Sequence, residues 1–116
     1  MPEQERVIGR TKPDSIELEG DAMPPDSHVA RTDVAVDGEA VKIYRRSAPF
    51  GTVAEKGLYV LAFAAAPKRF DILLGRMFGT WEDGIRDRLT DYSRPISGAY
   101  WLAPSEAALA ALLGQA

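Results

Sequence analysis

Val41-Lys42-Ile43-Tyr44-Arg45-Arg46-Ser47 has the two-residue period of a β-strand, with Val41, Ile43, Arg45 and Ser47 on one face and Lys42, Tyr44 and Arg46 on the other. An arginine therefore points where the apolar side chains point. Burying a guanidinium without a partner costs on the order of several kcal/mol, so this position demands an anion or a wet cavity. Failing that, the side chain snorkels past the strand end or pairs with a carboxylate such as Asp91 or Glu55. Just upstream, Val34 and Val36, the turn pair Asp37-Gly38, and then Val41 and Ile43 predict a hairpin.

Downstream, Leu58 to Ala65 is apolar on both faces and bounded by Gly57 and Pro67, which suits a central strand covered on each side. Phe70, Leu73, Leu74, Met77 and Phe78 follow amphipathic-helix spacing, opened near Pro67 and closed by Gly79. Ser97 to Ala103 reads as an aromatic-rich strand. Ser105 caps a final helix carrying Leu109, Leu112 and Leu113, with Gly114 as its stop. On the other side, Ile16 and Leu18 alternate with polar residues as in a short edge strand. Residues 1–26 otherwise read as loosely organised, broken by Met23-Pro24-Pro25-Asp26. The succession predicts a single α+β domain over 1–116, a ferredoxin-like antiparallel sheet with helices on one face.

The 116 residues are 46% hydrophobic and 27% charged, enough for one modest core. A net charge of -3, without a basic run interleaved with aromatics, argues against nucleic acid as a partner. No apolar run is long enough to span a bilayer and no signal peptide is evident, so the expectation is a cytoplasmic protein without a membrane partner. The absence of cysteine removes disulfides, iron-sulfur clusters and thiol catalysis.

His28, in Ser27-His28-Val29-Ala30-Arg31-Thr32-Asp33, is the one histidine, seventeen residues before Arg45. A lone imidazole without cysteine cannot build a multi-histidine zinc site, so a metal held there takes its other ligands largely from a cofactor, as in a haem pocket. By itself, a histidine after a proline-rich loop is more often a surface or capping residue than a ligand.

Several stretches taken together resemble the C-terminal half of the DyP-type (dye-decolourising) haem peroxidases. They are Glu3 to Lys12, Ser27-His28-Val29-Ala30-Arg31, Lys42 to Gly51, Gly57-Leu58-Tyr59 and Gly98 to Pro104. The resemblance runs over nearly the whole chain. It implies haem b (iron protoporphyrin IX) as cofactor, with His28 as the axial metal ligand, Arg45 as the distal arginine that also contacts the cofactor, and Ser47 as the distal polar residue. It places Asp91 as an acid behind the histidine, although Asp91 also reads as an ordinary turn or cap residue and Ser47 as a strand end. It further implies hydrogen-peroxide-dependent oxidation of a dye-like or porphyrin substrate, a small-molecule reductant.

The family's distal aspartate, in a Gly-x-x-Asp-Gly motif, has no counterpart here. Asp37-Gly38 has Val34 where glycine is needed, and Asp83-Gly84 has Thr80 there. The chain thus resembles one half of a dimeric α/β-barrel type subunit. Its expected partner is the missing N-terminal half or, in a homo-oligomer, a second copy, either of which covers its apolar surface. Three readings follow: a haem peroxidase half, a haem-binding module without turnover, and a cofactor-free interaction or remnant domain.

Overall fold

Asp37 and Gly38 both adopt positive φ, 53° and 79°, as a two-residue turn matching the twist of a hairpin requires. They join β1 (Ala35–Val36) to β2 (Glu39–Ala40) in antiparallel register. A hydrogen bond from the Val41 amide to the Val34 carbonyl extends the ladder. The computed structural model describes residues 2–114.

The next pairs all share one register. β3 (Tyr44–Arg45) pairs with β6 (Ala62–Phe63), and β4 (Ala48–Gly51) with β5 (Lys56–Tyr59). The Arg46 amide donates to the Leu61 carbonyl between them. Residues 44–63 are therefore one long hairpin arm. This corrects the expectation for Leu58 to Ala65, which forms one leg of a two-stranded arm rather than a covered central strand. Leu58, Tyr59, Val60, Leu61 and Phe63 are all exposed. Within the arm the Phe50 ring fills the space over Gly57, where a Cβ would lie 2.5 Å from Cζ.

Helix α3 (Pro67–Phe78) begins with proline at its first position and ends on Gly79 in the left-handed region, both as expected. Its Ile72 and Leu73 form a small core with Val41, flanked by Val34, Val36, Ile43 and Trp81. Leu74 and Phe78, on the same apolar stripe, remain exposed. Ser97 to Ala103 pairs with no strand; it touches α3 through Tyr100, whose ring lies 5.5 Å from Phe70 and whose hydroxyl meets Asp71 at 3.2 Å. Trp101 and Leu102 are 90% and 93% exposed, so a strand there has no partner among the described residues. The last helix, α4 (Glu106–Leu112), is capped by Ser105 as expected, with its leucines exposed.

Residues 1–26 contain regular elements. A helix, α1 (Glu3–Ile8), carries acids in its first turn and Arg6 in its last, matching the helix dipole, and buries Val7. Ile16 and Leu18 flank a single bridge, Arg10 to Glu17, in place of an edge strand. Gly9 ends α1 at φ 90°, and a Cβ there would lie 2.9 Å from both Met23 Sδ and Ser27 Oγ. Gly9→Ala is expected to cost about 3 kcal/mol, from left-handed strain plus overpacking. Urea unfolding followed by circular dichroism measures this.

The architecture is α+β of ferredoxin-like type, with its antiparallel pairing gathered into two-stranded ladders. The Cα radius of gyration, 17.3 Å, exceeds the roughly 13 Å typical of a compact chain of this length, as the projecting arm requires.

Candidate functional site

Ser27, fully buried, accepts a hydrogen bond from the Ala30 amide at 3.3 Å and so starts α2 (His28–Thr32). His28 is thereby fixed at the first helical position. Its Nδ1 meets Oδ2 of Asp87 at 2.6 Å. Asp87 is fully buried at the start of a short 3-10 turn, Arg88–Asp91, and its Oδ1 accepts from the Leu89 amide at 2.8 Å. The Asp87 amide in turn donates to the carbonyl of Met77 in α3. A carboxylate only accepts, so the ring nitrogen facing Asp87 is the protonated Nδ1, and Nε2 points away from it. The ring is 17% exposed, so it is not sealed in the interior.

Asp91, the acid expected behind the histidine, pairs instead with Arg86 at 2.5 Å, and Asp87 occupies that place. The reason is local. Asp87 caps the 3-10 turn at the end where α2 docks, whereas Asp91 lies at the far end, on the exposed side. An aspartate accepting from the amide two residues on is a recognisable turn pattern, and Asp87-Arg88-Leu89 carries it.

Arg45 and Ser47 lie at the base of the arm and are exposed. This corrects the expectation that Arg45 faces the core. Burial along its face falls from Val41 through Ile43 and is gone at Arg45, because only β6 flanks β3. Among the described residues neither Arg45 nor Ser47 bonds to His28 or Asp87. The structure thus joins His28 to Asp87 and carries Arg45 and Ser47 on a separate element.

Sequence reasoning also missed Arg31, 2% exposed. Its guanidinium grips Asp83 with two bonds, 2.9 and 2.8 Å, and its Nε donates to the Arg76 carbonyl at 3.1 Å. Arg76 replies by donating to the carbonyls of Arg31 at 2.8 Å and Ala30 at 3.0 Å. The hydrogen bonds from Arg31 hold the Asp83 carboxyl below the ordinary range, and burial lowers the Arg76 pKa.

Among the described residues no cluster of three or more His, Cys, Asp and Glu side chains could hold a metal ion, and no helix is long and apolar enough to cross a membrane. A dye-decolorizing peroxidase of Mycobacterium tuberculosis is 41% identical over 108 residues, 90% of this chain and 32% of that protein. One from Mycolicibacterium paratuberculosis is 38% identical over 108 residues, 90% of this chain and 30% of that protein. The chain therefore spans about a third of the length of these relatives. Among solved structures, a dye-decolorizing protein from V. cholerae superposes with a TM-score of 0.70 and 44% identity, over 76% of this chain and 29% of that one. A Rhodococcus jostii RHA1 DypB variant in complex with heme gives 0.72 and 41%, over 77% and 30%. The family model described as "Dyp-type peroxidase, C-terminal" matches residues 1–108, and the chain belongs to that family.

Proposed function

We propose that this chain is the haem-holding C-terminal part of a DyP-type peroxidase, which uses hydrogen peroxide to oxidise a small-molecule reductant of dye-like or porphyrin type. The observation that carries the reading is the His28–Asp87 pair. The donor set fits haem: one imidazole whose Nδ1 is oriented by a buried carboxylate, with no cysteine in the sequence and, among the described residues, no multi-residue metal cluster to compete. When bound, haem supplies the iron and the redox capacity that peroxide cleavage needs. His28 would hold it through Nε2, with Asp87 keeping the proton at Nδ1 and so raising the basicity of the ligating nitrogen. With haem bound, Arg45 would supply a positive charge, and Ser47 a hydroxyl, toward bound peroxide. The exposed apolar side chains of the arm and α4 are assigned to contact with the N-terminal half of a family subunit, or with a second copy.

Titrating the chain with haemin tests the reading. A Soret band shifted from that of free haemin supports it, and an unshifted band overturns it for this chain alone. In the haem-loaded protein, Arg45→Ala is expected to lower the second-order rate with hydrogen peroxide about a hundredfold with little change in haem affinity. Equal rates in stopped-flow absorbance would remove Arg45 from the role.

One observation favours a haem-binding module without turnover as the second reading. Both Asp-Gly pairs that could stand in for a distal acid are committed elsewhere: Asp37 forms the hairpin turn and Asp83 holds Arg31. Haem binding without peroxide-dependent dye oxidation would favour it.

A further inference from the structure

We infer that the Arg31–Asp83 ion pair, braced by Arg76, is a positioning unit that keeps the His28 ring in register with Asp87. Helix α2 has five residues, too few to hold itself by backbone hydrogen bonds. Its outer contacts converge on one segment. His28 reaches Asp87 and Arg31 reaches Asp83, so two residues three apart on the helix grip two residues four apart in the loop. That loop is braced within itself by the Ile85 amide on Asp83 Oδ1 at 3.1 Å, and on α3 by the Asp87 amide on the Met77 carbonyl at 2.9 Å. From the other side Arg76 holds the carbonyls of Ala30 and Arg31, which fixes the end of α2 that His28 does not.

Releasing Asp83 removes one of the braces on the loop that delivers Asp87, and releasing Arg31 removes one of those on the helix that delivers His28. Either one loosens a 2.6 Å bond in which neither residue takes part. A guanidinium meeting a carboxylate through two parallel bonds fixes an angle as well as a distance, which a lysine in its place would not. What the positioning does for a bound haem rests on the function proposed above. The positioning of the ring itself does not.

The test is the tautomer of His28 in the haem-free chain, read from imidazole nitrogen shifts by NMR at neutral pH. The parent is expected to hold a single Nδ1–H form. In Asp83→Ala and Arg31→Lys the Nε2–H form should rise to a comparable share, with the backbone amides of α3 still protected from exchange. If both variants keep the single Nδ1–H form, the inference is overturned. Should Asp83→Ala lose α3 protection altogether, Arg31→Lys, which keeps the charge and the stem but not the two-bond fork, decides in the same way. Haemin titration of the parent separates the two claims, since an unshifted Soret band removes the proposed function and leaves the tautomer result standing.

Discussion

His28→Ala is expected to abolish axial haem ligation while leaving the fold in place. The described residues carry one imidazole and no thiol, so no second side chain of either kind can take over at the iron. The ring lies at the first position of α2, where its removal breaks no helical hydrogen bond, and Ser27 still caps the helix. The structural cost is the lost partner of Asp87, about 1–3 kcal/mol for a buried group left short of a hydrogen bond. Haemin titrations of parent and variant, with circular dichroism on both, measure each half of the expectation. An unchanged haem spectrum in the variant would remove His28 as the ligand.

Asp87→Ala should have the largest effect on stability. The side chain is fully buried and both its oxygens are used, one by His28 at 2.6 Å and one by the Leu89 amide at 2.8 Å. Truncation leaves two donors without an acceptor and opens a cavity beside them, a loss of about 3–5 kcal/mol. Among the described residues only Val7, Val41, Ile72 and Leu73 are buried apolar side chains, and single domains are typically stable by only about 5–15 kcal/mol. The variant should therefore unfold at markedly lower urea than the parent. Asp87→Asn, which keeps an oxygen for the Leu89 amide, should recover part of the loss. A midpoint unchanged in the alanine variant would show that Asp87 carries little of the structure around His28.

What the sequence made legible is what short-range rules decide. Asp37-Gly38 specifies its own hairpin turn, Pro67 and Gly79 delimit α3, and Ser105 caps α4. The partners of His28 and Arg31 are different in kind. They lie 59 and 52 residues away, and any of several acids satisfies the chemistry equally well on paper. Asp91 and Asp87 sit at opposite ends of one short turn, and only the docking of α2 against its start selects between them. The exposure of Arg45 was hidden for the opposite reason. Alternation in a strand tells which side chains share a face, but whether anything covers that face depends on residues beyond the strand.

His28 is fastened at both ends of its helix, whereas Arg45 stands on an arm whose strands, among the described residues, are hydrogen-bonded only to each other. A ligand spanning both would meet one wall already ordered and one that it must itself immobilise, at roughly 0.5–1.5 kcal/mol for each long side chain brought to rest. Affinity would then be governed mainly at the histidine wall and reactivity at the arginine wall. A second protein surface that stiffened the arm would bear that ordering cost in the ligand's place, and so tighten binding as well as quicken chemistry.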